Sequence, residues 1–264
     1  VVPVFDNRKK TSIMPTPLDI LLDPVSLIFL AIYALLMIWE ATFPARDLPY
    51  VKHWKFKGML SFITFFYLSS YLPILTDPYL EPYRLFDLTW MSPLAGGILG
   101  LLLYELAVYV YHRGMHSSNF LWRTFHQMHH SAERLDTFGA FWFSPMDMVG
   151  FTLLGSVCFA LLIGLSPGAI TVVLLSANFF AVFQHANIRT PHWLGYIIQR
   201  PESHTLHHGK GLHRYNYSDL PLFDILFGTF KNPHNFEMET GFYHGASSRV
   251  RDMLLFRDVS EPEA

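Results

Sequence analysis

Histidine is the residue type that carries chemistry in this chain. Fourteen of the 264 residues are histidine, and eight of them fall into three short groups. His112 and His116 form an HxxxH pair, and His126, His129 and His130 form an HxxHH cluster shortly after it. His204, His207 and His208 repeat HxxHH further on. On a helix, positions i, i+3 and i+4 share one face, so each group is expected to aim its imidazoles in one direction. Neutral imidazole is a good ligand for zinc, copper, iron or nickel, and eight of them exceed what one ion can take. Two metal ions sharing the set is the economical reading. The single cysteine, Cys158, lies in an apolar run. It excludes a disulfide framework, a cysteine-ligated zinc site and an iron–sulfur cluster held within this chain.

The element that must position these histidines is a membrane helix. The chain is 51% hydrophobic and only 15% charged, where a soluble domain is about a quarter charged. A bilayer core needs about 20 apolar residues per helix. Five stretches approach that length. Residues 24–41 carry only Glu40, at the end; residues 58–75 carry no charge; residues 93–111 carry only Glu105. Residues 149–165 and 169–184 are uncharged and are separated by the breaker Ser166, Pro167, Gly168, which predicts a helical hairpin crossing the bilayer fully or in part. The fold expected is an all-α integral membrane protein with four to five membrane helices and a helical cap holding a di-metal site. No repeat or Gly/Ser linker divides it, so it reads as one membrane domain. The first three helices occupy 24–111, a cap part with the first two histidine groups 112–148, the hairpin 149–184 and the C-terminal cap 185–264.

Loop charges predict the orientation. Arg46, Lys52, Lys55 and Lys57 follow the first helix, Arg113, Arg123 and Arg134 follow the third, and Arg189, Arg200, Lys210 and Arg214 follow the hairpin. The positive-inside rule places all three groups, and the histidines with them, on the cytoplasmic face. Asp77, Glu81 and Asp87 against Arg84 mark the second loop as external. Arg8, Lys9 and Lys10 argue the other way for the N-terminus and are outvoted. No signal-peptide pattern precedes the first apolar run, and a start at Val1 leaves room for a leader upstream. The expected host is a bacterial inner membrane or the endoplasmic reticulum. A net charge of −2 argues against a nucleic-acid partner.

The order HxxxH, HxxHH, apolar hairpin, HxxHH resembles the fatty acid hydroxylase and sterol desaturase superfamily of membrane di-iron enzymes. The resemblance covers about residues 101–230. It extends to Leu121, Trp122 and Arg123 before the first HxxHH and to Phe183, Gln184, His185, Ala186 and Asn187 at the hairpin exit. Asn216, Tyr217 and the run 223–230 after the last box belong to it as well. The resemblance implies two iron ions held by His112, His116, His126, His129, His130, His204, His207 and His208, with His185 as the ninth ligand. Some relatives carry one more histidine four residues on, where this chain has Arg189. That leaves one position open to water, with Asn187 and His192 as weaker candidates. It also implies dioxygen as co-substrate and a sterol, fatty-acyl or related lipid that is hydroxylated or desaturated by C–H abstraction. The chain has no dinucleotide fingerprint, no cysteine set and no recognisable heme domain, so electrons would come from a separate ferredoxin- or cytochrome-type donor with its reductase.

Around the boxes, Glu105, Asp136, Asn187, Glu202 and Glu133 are candidates to orient ligand N–H groups, and each is otherwise an ordinary polar residue. Glu40 is expected to reach interfacial water. Glu105, two turns before His112, either bonds a ligand or makes a helix–helix contact, and the contact is preferred. Phe138, Phe141, Trp142 and Phe143 either wall a lipid cavity or form an interfacial belt. The polar tail 231–264, with its turn at 241–248, is expected to pack under the cap. A non-enzymatic metal-binding or metal-transporting membrane protein is the competing class. Transporters place ligands at mid-membrane on broken helices, whereas these lie at helix ends and beyond. A zinc hydrolase would need far fewer histidines.

Overall fold

The computed structural model describes residues 14–262; Arg8, Lys9 and Lys10 lie outside them. Among the described residues, five helices are long and apolar enough to cross a membrane: Pro24–Thr42, Trp54–Tyr83, Pro93–Ser117, Pro145–Leu162 and Pro167–His185. The count is the upper one expected. Four of the five start on one local device, an acceptor side chain followed by proline. Asp23 accepts from the Val25 N–H, Ser92 from Ala95, Ser144 from Asp147 and Ser166 from Ala169. The proline that follows lacks the N–H that a first helical turn would leave unpaired. This device starts the fourth span at Pro145, several residues before the uncharged run begins. Its last turn widens to π geometry over Val157–Leu162.

Nineteen residues of α-helix reach about 28 Å, close to the thickness of a bilayer core. At most 39% of any span's apolar window is buried inside the protein. Side chains such as Leu35, Ile38, Leu94 and Val110 therefore point outward, which is stable against lipid and costly against water. The protein is an integral membrane protein.

The spans alternate in direction, and their ends define two poles. At one pole the two-residue strands Phe86–Asp87 and Ile163–Gly164 pair in parallel, tying the second–third loop to the fourth–fifth loop. At the other pole the histidine groups gather in a cap of short helices and turns. Within the bundle the third span packs on the fifth, the second on the fourth, and the first on the fifth. The expected hairpin is thus splayed, its arms leaning on different neighbours. The third and fifth spans approach closely because the third carries glycine at the contact. A Cβ on Gly97 would lie 2.6 Å from Val172 Cγ1, and one on Gly100 2.5 Å from Leu165 Cδ1.

An aromatic cluster of Phe29, Tyr33, Phe62, Phe66, Phe141 and Phe183 joins the first, second and fifth spans to the cap. Phe141 stacks on Phe65 at 4.8 Å, and Trp142 packs with Trp54 and Met128 in a second cluster. These two are core residues, and neither the cavity-wall nor the belt expectation describes them. Phe143 alone of the expected four lies against a histidine ring, 4.6 Å from His129 between centroids.

Candidate metal centre

His112 and His116 occupy the last two turns of the third span, and His185 ends the fifth. His126 closes a π-helical turn, Trp122–His126, and His129 and His130 lie on the short helix Gln127–His130 that continues it. His204 and His207 lie on the helix Pro201–His207, and His208 is the residue that ends it. These nine side chains form two clusters, His112, His116, His126, His130 and His207 in one and His129, His185, His204 and His208 in the other, with the ligand atoms of each within 4.8 Å of one another.

The partition departs from the expectation that each group faces one way. Each HxxHH sends its first and last histidines to one cluster and its middle one to the other. His129 and His130 are adjacent in sequence, yet their rings stand at 89° and serve different clusters. His207 and His208 do the same at 80°. Three-residue spacing rotates a helical side chain to the opposite edge of the face from four-residue spacing, and that difference divides each group between the two clusters.

Hydrogen bonds at the outer ring nitrogens decide what the inner ones can do. His112 Nδ1 lies 2.7 Å from the carbonyl of Tyr217, His207 Nδ1 2.7 Å from that of Tyr215, and His185 Nδ1 2.6 Å from that of Ala181. A carbonyl only accepts, so each Nδ1 carries the proton and each Nε2 is a bare lone pair. His126 Nδ1 likewise donates to Asp147 Oδ2 at 2.8 Å. Yet His126 Nε2 and His112 Nε2 face each other at 2.9 Å, and His185 Nε2 faces the Nε2 atoms of His129 at 3.1 Å and His204 at 3.0 Å. The lone pairs of His126 and His112 repel at this distance unless a cation lies between them, while His129 and His204 bring two more ring nitrogens to the bare Nε2 of His185. Protons are poor candidates for that cation. Burial first, and neighbouring imidazoles second, hold His126, His129, His130, His204, His207 and His208 well below the usual histidine range. Neutral rings with inward lone pairs fit metal ions. The buried Nε2 atoms of His116, His130 and His207 and both ring nitrogens of His208, none with a protein partner, fit them too.

The acids singled out in the sequence do other work. Glu105 Oε2 accepts from the backbone N–H groups of Asp219 at 2.9 Å and Leu220 at 3.1 Å, a polar contact between span and cap, and touches no ring. Glu40 Oε2 accepts from the Thr137 and Asn187 N–H groups, 2.8 and 2.9 Å, so it fastens the cap instead of reaching into water. Asp136 accepts from Trp54 Nε1 and Arg134 Nε, and Glu202 from Thr190 and Arg200. Asn187 donates to the Arg46 carbonyl. Glu133 accepts from Gly245, Ser247 N–H and the Ser247 hydroxyl, which explains the turn at 241–248 and seats the tail under the cap. None of these carboxylates hydrogen-bonds a cluster histidine. His192 stacks on His234 and bonds the Asn232 carbonyl, outside both clusters. Arg189 is exposed and lies over Phe236.

Two residues that the sequence reading passed over hold ligand rings. Asp147 is one; it sits in the first turn of the fourth span, where an acid reads as a cap residue. His213 is the other, its Nδ1 3.1 Å from that of His130. It lies on the segment 213–217, where His213, Tyr215 and Asn216 all have left-handed backbones (φ 40°, 70° and 52°), an uncommon conformation for residues with a Cβ. Asn216 fixes this segment by donating to the Ser203 carbonyl at 3.0 Å and accepting from Lys231 N at 2.8 Å. Asp224 fixes its end, accepting from the N–H groups of Tyr217 and Ser218 at 2.9 and 3.0 Å and from the Thr229 hydroxyl at 2.7 Å. Asn216, Tyr217 and the 223–230 run thus earn their place in the motif as fastenings of a ligand-holding segment.

The comparisons with known proteins agree with this geometry. The sequence model of the family described as Fatty acid hydroxylase matches residues 97–229. Among curated proteins, the chain is 34% identical over 141 residues to an ornithine lipid hydroxylase of Rhizobium tropici, covering 52% of this chain and 42% of that protein. It is 31% identical over 159 residues to the human alkylglycerol monooxygenase, covering 57% and 34%. It is 24% identical over 144 residues to sphinganine C4-monooxygenase 1 of Arabidopsis thaliana, covering 53% and 55%. The chain thus spans between about a third and just over half of each of these relatives. No solved structure gives a significant match. The matched region contains all nine clustered histidines, Asp147 and His213, and the chain belongs to the fatty acid hydroxylase family.

Proposed function

We propose that this protein is a dioxygen-dependent di-iron hydroxylase of a membrane lipid. The observation that carries the reading is the pair of adjacent, buried all-histidine clusters, their ring nitrogens converging, at the cap end of the third and fifth spans. The relatives supply the reaction class, since all three bear the name of a hydroxylase or monooxygenase and act on lipids. Two ferrous ions, when bound, supply the oxidant that dioxygen yields for breaking an unactivated C–H bond.

The chain's own residues do the rest. Carbonyls and Asp147 keep the outer ring protons of His112, His207 and His126 in place, so these ligands are set before an ion arrives. The centre lies where two spans end, so a lipid keeps its polar head at the membrane surface while its apolar part enters among the helices. Phe143 beside His129 and Phe151 beside His126, with ring centroids 5.8 Å apart, present an apolar surface to that part and exclude water from the reacting carbon. A cleft of about 220 Å³ opens at the cap end of the first span, lined by Glu40, Arg46, Lys55 and Arg134. It offers both signs of charge at head-group depth. Basic loops favour the cytoplasmic face for the cap, and a separate ferredoxin- or cytochrome-type donor with its reductase would dock there.

Metal analysis of the purified protein joined to comparative lipidomics tests the reading. Two irons per chain and a lipid that gains one oxygen only when the gene is expressed are expected. One zinc without iron would overturn the di-iron centre, and an unchanged lipid profile with iron present would overturn the substrate class.

A further inference from the structure

The two clusters differ in how firmly the protein holds their ligands. In the five-histidine cluster four of the five rings have a protein partner at the outer nitrogen. One segment of five residues provides three of them. The Tyr217 carbonyl takes His112, the Tyr215 carbonyl takes His207, and the His213 ring takes His130. Asp147 takes the fourth, His126. In the four-histidine cluster only His185 is held, by Ala181. The buried Nδ1 atoms of His129, His204 and His208 have no protein hydrogen-bond partner.

We propose that the segment 213–217 makes the two metal positions unequal: the five-histidine position fills first and holds its ion more tightly, and the four-histidine position fills second and exchanges. This rests on the di-metal reading above. The physical reason is preorganisation. A ring already fixed in orientation and tautomer loses little freedom when it ligates, and a fixed outer N–H makes the inner nitrogen a stronger donor. The left-handed residues of the segment cost conformational energy. Alternate residues of this unusual backbone, 213, 215 and 217, all face ligand rings. His213 is therefore a positioning residue that acts through His130. With four histidines against five, that position would leave more of an ion's coordination shell free for a reactant.

The test is metal titration of the full-length protein in detergent, with ferrous ion under anaerobic conditions against a competing chelator, read by absorption and by bound metal. Two steps are expected, separated by at least tenfold in affinity. His204→Ala should remove the weaker step and leave the tighter one. His213→Ala should weaken the tight step by about 10- to 100-fold, the usual cost of losing an outer partner, and move the weak step less than about threefold. His213→Asn, which keeps a side chain able to accept from His130, should recover part of the loss. Two steps of equal affinity, or a His213→Ala that weakens both steps alike, would overturn the inequality while leaving a di-metal protein. Binding of no transition metal by any form would instead overturn the di-metal reading itself.

Discussion

The Nδ1 atom of His126 lies 2.8 Å from Oδ2 of Asp147, and both side chains are at most 1% exposed. This is the one carboxylate in the described part of the chain that hydrogen-bonds a cluster histidine. A carboxylate in this position fixes the ring's tautomer and strengthens its inner nitrogen as a donor. Replacing Asp147 with Ala leaves the ring unheld, and a loss of about 10- to 100-fold in metal affinity or lipid oxidation is expected. Asp147→Asn, which keeps an oxygen acceptor, should lie between the two. Metal content and product formation measured on the same preparations check this. An alanine variant with native metal content and turnover would show that the pair is incidental.

Glu105 offers a stability prediction with a clear reference variant. Its carboxylate receives two backbone N–H groups at the junction of the third span and the cap. Glu105→Ala buries both without a partner, at about 1–3 kcal/mol each. Glu105→Gln keeps an acceptor oxygen and should cost much less. Thermal unfolding in detergent should rank wild type, then Gln, then Ala. Equal melting of Ala and Gln would remove the cap contact as the reason for a charge at this depth.

Much of the architecture was legible because its signals are local. Apolar length and the three histidine spacings can each be read within a few residues; they located four to five spans and eight of the nine clustered histidines, and the resemblance at the hairpin exit supplied His185. The division of those histidines was not legible. It depends on the difference between three- and four-residue spacing when two clusters lie a few ångströms apart, and on a π-helical turn ending at His126. Glu105 makes the polar contact expected of it, though with cap backbone. The orienting role offered for Asp136 and Glu202 fails for a related reason: they lie near the boxes in sequence but spend their oxygens on other backbone and side-chain donors. The partner of His126 comes instead from a residue that looks like an ordinary helix cap. His213 carries no spacing signal at all, because its position depends on a left-handed backbone held by Asn216 and Asp224.

The glycines of the third span make a packing prediction. At Gly97 an added methyl meets two carbons of Val172, at 2.6 and 2.7 Å. Valine is branched at its β-carbon and cannot swing aside within a helix. Gly97→Ala must push the third and fifth spans apart, at about 1–3 kcal/mol. Because those spans end in His112, His116 and His185, metal content should fall together with melting temperature. At Gly114 nothing lies within 4 Å, so Gly114→Ala should be neutral or slightly stabilising. A Gly97→Ala protein as stable as Gly114→Ala would show that the contact between the spans is not tight.

Acid should destabilise this protein in a defined window. The six cap histidines of the clusters are held well below their ordinary value near 6.5, chiefly by burial, and burial lowers His213 to about 4. An unfolded chain protonates these rings as pH falls through about 6.5, while the folded chain takes them up only at much lower pH. Between those limits the unfolded state binds more protons, so stability is complete above about pH 6.5 and declines steadily below it. Bound metal does not reverse the sign, because protons and metal ions compete for the same bare nitrogens. Melting temperature of chelator-treated protein should therefore be level from pH 8 to 7 and fall from pH 6.5 to 5, with the metal-loaded protein falling in the same direction and releasing its ions as it does. Melting that holds steady or rises across that acidic interval would mean that the folded histidines accept protons as readily as free ones, and the buried, neutral, inward-facing donor set on which the metal centre depends would have to be abandoned.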